Sequence, residues 1–416
     1  MNKDTTASPS LSDWATLPID PAQQSNLAAL GFSTMTPVQA ATLPLSLAGG
    51  DLIAQAKTGS GKTAAFAIPL LQKLNVGQLA VQSLVLCPTR ELADQVCAEI
   101  RRLARAYDNV KVLPLCGGVA LRGQTASLEN GAHIVVGTPG RVLDHLQRGN
   151  LALSTLTTLV LDEADRMLDM GFADDIQAIS KQTPATRQTL LFSATYPDTI
   201  AALSARLMRQ PQIVKVDTTH DTHAIEEWFF EVEPDTRLDA VTRLLNHYQP
   251  TSTVAFCNTR VQCNDLVQIL RAHGFSALTL HGDLDQRDRD QVLIQFANHS
   301  CSVLVATDVA ARGLDVAQLP VVVNYDLPRS ADDYTHRIGR TARAGAQGQA
   351  VSFVSAHALA HWRLIQKRAQ LQLPLEVVPG FEPTDEPVPA PGVGGIKGKR
   401  PSKKDKWRAA AYQSEA

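Results

Sequence analysis

A glycine-rich segment near residue 60 carries residues that could hold a triphosphate. Residues 56–63, Ala-Lys-Thr-Gly-Ser-Gly-Lys-Thr, fit the pattern G-x-x-x-x-G-K-[ST] with alanine in the place of the first glycine. Gly59 and Gly61 allow a tight turn that brings backbone N–H groups close to phosphate oxygens. Lys62 is placed to reach the β- and γ-phosphates, and the Thr63 hydroxyl is placed to bind Mg²⁺.

The elements around this segment are those that a phosphate loop needs. The apolar run at residues 51–55 predicts a short buried strand, and a helix is predicted to begin near Lys62. The N-terminal dipole of that helix would face the phosphates. The alternative interpretation, a flexible Gly/Ser turn, explains neither the Lys-Thr pair nor the strand.

A second apolar run, at residues 158–161, ends in the acids of Asp162-Glu-Ala-Asp165. Ligands of parallel sheets bind at the carboxyl ends of the strands. Asp162 is placed to hold Mg²⁺ through water, and Glu163 to orient and deprotonate an attacking water. The alternative is a solvated helix N-terminus, where acids are favoured in any case. The phosphate loop makes that alternative the weaker one.

Composition limits the class of protein. A hydrophobic fraction of 44% with 19% charged residues is ordinary for a soluble globular chain, and a net charge of −2 confines any nucleic-acid surface to a local stripe. The six cysteines form no C-x-x-C pair and several lie in apolar runs, which indicates buried reduced thiols in a cytosolic protein. The N-terminus does not resemble a signal peptide, and no apolar run approaches the length of a membrane span. We therefore expect a cytoplasmic protein.

Strand-like apolar runs alternate with helical patterns, which predicts an α/β fold of parallel sheets flanked by helices. The runs lie near residues 52–55, 83–87, 110–115, 133–136, 158–161, 189–192 and 212–216, and then near 227–232, 253–257, 277–280, 303–306, 321–324 and 350–354. They predict a disordered N-terminus (1–13), a first domain (14–216), a linker (217–224), a second domain (225–378) and a tail (379–416).

The tail changes in composition along its length. Residues 379–395 hold five prolines and four glycines, and residues 397–408 hold seven basic residues and one acid. This composition is typical of a disordered basic segment. A basic tail of this kind either binds nucleic acid without specificity or is merely solvated, and the sequence leaves both open.

Arg337, Arg340 and Arg343 recur at a spacing of three, which would place them on one face of a helix. The guanidinium fork suits phosphate, and a hydrolytic site can receive an arginine from a neighbouring domain. Taken alone, the pattern more often marks a solvated helix face with salt bridges.

Taken together, the motifs resemble those of the DEAD-box RNA helicases of superfamily two, from about Trp14 to about Val354. In the order of that family they are Gly31–Gln39, the phosphate loop, Pro88–Leu92, Gly117-Gly118, Thr138–Arg141, Asp162–Asp165, Ser193–Thr195, Phe256–Arg260, Gln286–Arg289, Ala306–Asp315 and His336–Arg343. Several stretches resemble the bacterial DbpA branch. The resemblance implies two tandem RecA-like domains.

The resemblance also implies roles for the residues of an ATP site. Gln39 would read the adenine edge, Thr36 would support that loop, and Trp14 would stack near the base. Asp315 would contact the ribose, while Arg340 and Arg343 would complete the site across the cleft. Thr58 and Ser60 would join Gly59, Gly61, Lys62 and Thr63 around the phosphates. Ser193 and Thr195 would couple the nucleotide state to strand separation.

The implied RNA groove contacts the sugar-phosphate backbone, so binding should be largely independent of sequence. Its implied residues are Pro88, Thr89, Arg90, Gly118, Thr138, Arg141, Arg260, Arg289 and Thr307. ATP and single-stranded RNA would together favour a closed form that bends the strand and opens a few base pairs. Hydrolysis would then release it.

Three functions follow from the resemblance. The favoured one is a monomeric RNA-stimulated ATPase, dependent on ATP and Mg²⁺, that unwinds short RNA duplexes, with ribosome assembly as its setting. The alternative is an ATP-dependent RNA clamp with little productive unwinding. A DNA-directed motor of the same superfamily is the third, and the Gln39 motif and the Asp-Glu-Ala-Asp tetrapeptide argue against it.

The chain departs from the pattern of the family at three places. Met35 stands where proline is common and Ala342 where glycine is common, and we expect intact ATPase chemistry despite both. The DbpA branch has a C-terminal RNA-recognition domain that confers specificity for a ribosomal RNA hairpin. The residues after Val378 are too few for that fold, so hairpin specificity is not expected to carry over.

Overall fold

The computed structural model describes residues 13–56, 59–216, 225–311, 319–342, 347–378 and 380–381. Part of the predicted N-terminal segment, the predicted linker and almost all of the predicted tail lie outside the described residues. Thr58, Asp315 and Arg343 also lie outside them.

The strands and helices alternate along the chain. The strands are β1 (Leu52–Gln55), β2 (Ser83–Leu86), β3 (Val112–Leu115), β4 (Ile134–Gly137), β5 (Thr158–Leu161), β6 (Gln188–Ser193), β7 (Gln212–Lys215), β8 (Ile225–Glu231), β9 (Thr253–Cys257), β10 (Ala277–Leu280), β11 (Val303–Thr307), β12 (Val321–Asn324), β13 (Gly348–Val354) and β14 (Leu375–Val377). The helices are α1 (Pro21–Ala29), α2 (Pro37–Leu47), α3 (Lys62–Gln72), α4 (Arg90–Leu103), α5 (Leu121–Glu129), α6 (Pro139–Gln147), α7 (Ala164–Asp169), α8 (Ala173–Ser180), α9 (Asp198–Leu207), α10 (Arg237–Tyr248), α11 (Arg260–Ala272), α12 (Gln286–Ala297), α13 (Asp308–Ala311), α14 (Ala331–Ile338) and α15 (Leu359–Ala369).

The strands form two seven-stranded parallel sheets with the same topology. The first sheet has the order β3-β4-β2-β5-β6-β1-β7 and the second has the order β10-β11-β9-β12-β13-β8-β14. When the strands of the second sheet are renumbered from one, its order becomes that of the first. Each of the apolar runs found in the sequence overlaps a strand, whereas β14 was not predicted, since its three residues are too few to show a pattern. The prediction of two RecA-like α/β domains is confirmed.

Helices cover both faces of each sheet, so alternate residues of one strand enter opposite cores. In β1, Leu52 and Ala54 join the cluster beneath α3 and α4, whereas Ile53 joins the cluster beneath α6, α8 and α9. Strands buried on both faces read as continuous apolar runs, which explains why the sequence shows them so clearly. Phe66 on α3 packs on Phe192 of β6 with ring centroids 5.4 Å apart. Truncating Phe66 to alanine should cost about 3 to 5 kcal/mol.

Two composition-based expectations concern burial and membranes. All six cysteines are buried and unpaired by disulfides, as predicted. Among the described residues, no helix is both long enough and apolar enough to cross a bilayer.

Candidate active site and nucleic-acid interface

The phosphate loop connects β1 to α3, and α3 begins at Lys62 as predicted. Gly61 holds a left-handed backbone with φ +92°, which glycine adopts without the steric cost that other residues have there. Lys62 is buried, and its Nζ donates to the carbonyl oxygen of Ala56 at 3.1 Å. The ammonium group therefore lies inside the loop. When a phosphate binds there, Nζ can give up its hydrogen bond to the Ala56 carbonyl and bind phosphate oxygens instead.

Thr36 and Gln39 form a capping box at the start of α2 that also touches the phosphate loop. The Thr36 N–H donates to the Gln39 side chain at 2.8 Å, and the Thr36 hydroxyl accepts from the Gln39 N–H. Gln39 Nε2 donates to the Gly61 carbonyl at 3.1 Å. A side chain at position 61 would lie 2.6 Å from that amide nitrogen, so only glycine lets the two segments meet. Adenine reading by Gln39 stays a prediction.

Trp14 lies in the core of the first domain, packed edge-on against Phe32 with ring centroids 6.1 Å apart. Its indole N–H is buried and has no hydrogen-bond partner among the described residues. Base stacking by Trp14 stays a prediction, and the half-buried Phe32 is the more accessible ring of the pair.

The two carboxylates at the end of β5 are buried next to the loop. Asp162 Oδ1 accepts from the Glu163 N–H at 3.0 Å. Burial raises the pKa of Asp162 to about 6, against the opposing effect of the Lys62 charge. Glu163 has φ +51°, an uncommon backbone for a residue with a side chain, and strain of this kind is concentrated at functional sites. Arg166 Nε lies 3.4 Å from Glu163 Oε2 and helps to fix that carboxylate.

The donor set fits Mg²⁺ rather than a softer metal. The candidates are the Asp162 carboxylate and the Thr63 hydroxyl, which are hard oxygen donors. Mg²⁺ is usually held by one or two carboxylates together with substrate phosphates and water. A buried carboxylate beside a lysine that is placed for phosphate matches that arrangement.

The predicted coupling residues contact the nucleotide motifs directly. Thr195 donates to Asp165 Oδ2 from both its N–H and its hydroxyl, each at 2.9 Å. The carbonyl of Ser193 accepts from the Ala56 N–H at 2.9 Å, while the Ser193 hydroxyl is buried with no partner in the described part of the chain. No role was predicted for Asp165 from the sequence. Its place in the acidic tetrapeptide was the one indication that it belongs to the site.

Arg337 lies in the last turn of α14 and Arg340 in the turn that follows, so the helix that a shared face would require does not extend to Arg340. Arg343 lies outside the described residues. The helix ends at Ile338, Gly339 caps it, and Thr341 forms a parallel bridge with Leu319. Glycine is a poor helix former, and the chain continues in a turn in which the Arg340 N–H donates to the Arg337 carbonyl and the Thr341 N–H to the Ile338 carbonyl. Arg340 is buried and lines a small cavity together with Arg166 of the first domain. The structure therefore brings Arg340 near the Glu163 side of the cleft.

Arg337 is a buried hub of the second domain that sequence analysis did not select. Its guanidinium forms two hydrogen bonds with Asp308, at 2.6 and 2.8 Å, and lies 5.0 Å from the ring centre of Phe256. It also donates to Asn324 and to the carbonyl of Asp326. The regular spacing of the three arginines did not distinguish Arg337 from Arg340 and Arg343. The sequence therefore did not indicate that Arg337 is a structural residue.

In the first domain, the predicted RNA residues lie at the carboxyl ends of β2, β3 and β4. Thr89 caps α4, accepting from the Leu92 N–H, and Pro88 precedes it. Gly118 has φ +76° in the loop after β3. Thr138 is the N-cap residue of α6, and Arg141 lies in the first turn of that helix. The structure thus gathers these residues at one edge of the sheet.

The second domain repeats the arrangement. Thr259 caps α11 by accepting from the Gln262 N–H, with nearly the same backbone angles as Thr89. Arg260 follows it and forms an exposed salt bridge with Asp283. Thr307 ends β11, the strand that corresponds to β4.

Two ion pairs join the domains at this edge. Arg289 donates to Glu91 Oε1 from Nε at 3.2 Å and from Nη2 at 2.8 Å. Arg90 Nη2 lies 3.7 Å from Asp290 Oδ2. Two arginines predicted to bind RNA are therefore paired with carboxylates of the opposite domain.

Family models match both halves of the chain. One, described as DEAD/DEAH box helicase, matches residues 36–203, and one described as Helicase conserved C-terminal domain matches residues 236–345.

Several proteins are similar over most of their length. "ATP-dependent RNA helicase DbpA" of Escherichia coli (strain K12) is 53% identical over 87% of this chain and 79% of its own. "DEAD-box ATP-dependent RNA helicase CshA" of Geobacillus kaustophilus is 45% identical over 83% of this chain and 74% of its own. The solved structure "S. cerevisiae Dbp5 bound to RNA and ADP BeF3" is 29% identical, with a TM-score of 0.80 over 88% of this chain and 95% of its own.

Proposed function

The chain belongs to the DEAD-box family of ATP-dependent RNA helicases, and on that premise we propose that it opens short RNA duplexes locally. It is an ATP-hydrolysing enzyme. We place its work in ribosome assembly in the cytoplasm, as a monomer that grips RNA with little sequence preference. The observation that supports the proposal is the two cross-domain ion pairs, Arg289 with Glu91 and Arg90 with Asp290, because they join the domains at the strand ends where the RNA groove is proposed.

Within the ATP site, Lys62 and the loop amides hold the phosphates while Glu163 takes the proton of the attacking water. Asp162 and Thr63 would hold Mg²⁺, which would offset phosphate charge when bound. Arg340 and Arg343 of the second domain are proposed to complete the site across the cleft, where an arginine stabilises the charge of the transferred phosphate. Because each domain supplies part of the site, ATP is hydrolysed efficiently only when the domains are closed.

RNA binding completes the same closure. Pro88, Thr89, Arg90, Gly118, Thr138 and Arg141 contact the strand from one domain, and Arg260, Arg289 and Thr307 from the other. The support is their shared position at equivalent strand ends of two sheets with one topology. Dbp5 and Mss116, the latter with a TM-score of 0.79, are solved with RNA bound, which agrees with a single-strand groove here.

The experiment that tests the proposal uses Glu163→Gln. This variant should bind ATP and RNA but release phosphate at least about a hundredfold more slowly, because the water has no base. Glu129→Gln, at an exposed position on α5, is the matched control and should behave as the native protein. Normal phosphate release by Glu163→Gln would refute the assignment of the base.

The same variant identifies the RNA. Crosslinking Glu163→Gln in cells with ATP, followed by sequencing of the trapped RNA, should recover ribosomal RNA precursors. Recovery of other transcripts would refute the role in ribosome assembly. Long-lived native complexes without strand separation would favour the clamp over the helicase.

A further inference from the structure

Gln124 is a buried glutamine on α5 whose side-chain nitrogen and oxygen both form hydrogen bonds. It is 8% exposed. Its Nε2 donates to the carbonyl of Cys116 at 2.9 Å, and its Oε1 accepts from Arg141 Nη1 at 2.8 Å and from His145 Nε2 at 3.1 Å. One side chain therefore joins the end of β3 to two residues of α6.

The bonds of Gln124 and Arg141 together fix both ends of the glycine loop. Cys116 immediately precedes Gly117 and Gly118, and its carbonyl is held by Gln124. Arg141 Nη1 also donates to the carbonyl of Val119, immediately after the loop, at 3.0 Å. The loop is thus held before Gly117 by Gln124 and after Gly118 by Arg141.

The position of this loop matters for contact with the second domain. A side chain at position 118 would lie 3.2 Å from Gln286 Oε1 on α12. Displacing the loop by even an ångström would therefore disturb both its backbone and the domain interface. The hydrogen bonds of Arg141 within the described residues all come from Nη1, so Nε and Nη2 face no competing acceptor there.

We propose that Gln124 is the positioning residue of the RNA groove in the first domain, a role that rests on the proposed function. It sets the distance between the backbone of Gly118 and the guanidinium group of Arg141, so that both meet one sugar-phosphate strand. Only an amide meets the requirement, because the site needs a donor toward Cys116 and an acceptor toward Arg141 and His145.

Gln124→Leu tests the inference while keeping the side-chain volume close to native. It removes the donor toward Cys116 and the acceptor that Arg141 and His145 share, so that Arg141 keeps only its bond to the Val119 carbonyl. We expect the half-saturating concentration of a short oligouridylate, measured by ATPase stimulation, to rise about tenfold. The half-saturating ATP concentration at saturating RNA should change less than about twofold. An equal change in both would show a structural role alone.

Gln82→Leu is the matched control. Gln82 is 3% exposed and also makes three amide hydrogen bonds, two with Asn75 and one with the Gln78 carbonyl. It precedes β2 at the opposite edge of the sheet from the predicted groove. Gln82→Leu should lower the unfolding midpoint as much as Gln124→Leu does, with native RNA stimulation. If the two variants raise the half-saturating RNA concentration equally, Gln124 has no positioning role.

A double-mutant cycle with Arg141→Ala distinguishes failure of the proposed RNA groove from failure of the inference that Gln124 positions it. Arg141→Ala alone should weaken oligouridylate binding, and native binding in that variant would refute the proposed groove itself. If Arg141→Ala weakens binding, Gln124→Leu should have a much smaller effect in the Arg141→Ala background than in the native chain. Additive effects would overturn the inference about Gln124 and leave the groove standing.

Discussion

Arg289 of the second domain donates two hydrogen bonds to one carboxylate oxygen of Glu91 in the first. Both side chains are largely buried, at 14% and 12% exposed. Glu91 follows Arg90 in the first turn of α4, so one turn of helix holds a residue placed for RNA and a residue that grips the other domain. The first turn of α4 therefore holds both a residue of the proposed RNA groove and a contact with the second domain.

Replacing Glu91 with glutamine should weaken the coupling between ATP and RNA. The substitution removes the charge that Arg289 contacts across the interface, while the released arginine can still bind phosphate. We expect the ratio of RNA affinities with and without ADP-beryllium fluoride to fall about three- to tenfold. Fluorescence anisotropy with labelled RNA measures it. Glu99→Gln removes a surface partner of Arg102 on the same helix and should leave the ratio unchanged. A native ratio in Glu91→Gln would mean that the pair does not support closure.

Ala342 has φ +53°, a left-handed conformation. In the sequence it lies between Thr341 and Arg343, which is predicted to be part of the ATP site. Ala342→Gly should stabilise the chain by about 1 kcal/mol, because a side chain makes this backbone unfavourable. Urea unfolding measures the gain. Gln249→Gly, at an exposed left-handed C-cap of α10, is the control and should give a similar gain.

The two glycine variants differ in their expected effect on activity. Ala342→Gly lies in the segment that presents the arginines, so its ATPase rate should differ from native, whereas Gln249→Gly should not change the rate. A loss of stability in Ala342→Gly would show that the alanine methyl group packs favourably and that the backbone is unstrained.

The buried His145 should make the stability of the first domain fall in acid. Its Nε2 donates to Gln124, and its Nδ1 is buried without a partner among the described residues. Burial, followed by the charge of Arg141, lowers the pKa of His145. The unfolded chain therefore binds more protons near and below pH 6.5, so stability is retained above that pH and decreases as the pH falls through it.

His145→Gln keeps a donor toward Gln124 and removes the titration. The free energy of unfolding of this variant, from urea titrations at pH 8 and pH 5.5, should depend on pH less than that of the native chain. His273→Gln, at an exposed position, is the control. Parallel pH profiles for native and His145→Gln would exclude the effect.

Deleting residues 390–416 tests the basic tail as an RNA tether. The deletion removes seven basic residues, so RNA affinity should fall most at low salt and the dependence of affinity on salt should become shallower. Filter binding across a salt series measures both. Replacing the basic residues of 397–408 with glutamine should reproduce the loss if charge is responsible. Unchanged affinity and slope would show that the tail is only solvated.

The strands and the start of α3 could be predicted because they depend on residues that are close together in the sequence. The apolar runs located thirteen strands, and the pattern of the phosphate loop located the start of α3 at Lys62, because burial and turn chemistry act on neighbouring residues. The spacing of Arg337 and Arg340 did not indicate where α14 ends, since the bridge between Thr341 and Leu319 joins residues that are distant in the sequence. Gln124, Arg337 and Glu91 could not be found because their partners lie on other elements.

The two halves share one strand order but differ in the segment that follows their first strand. In both halves, a threonine caps the helix after the second strand and an arginine follows it, yet only β1 leads into a phosphate loop, while β8 leads into Val232-Glu-Pro-Asp235. The two halves therefore share one strand order and one helix-capping pattern, while the phosphate loop occurs in the first half. Two similar surfaces proposed to bind RNA, served by one ATP site, are better suited to bending RNA locally than to translocating along it.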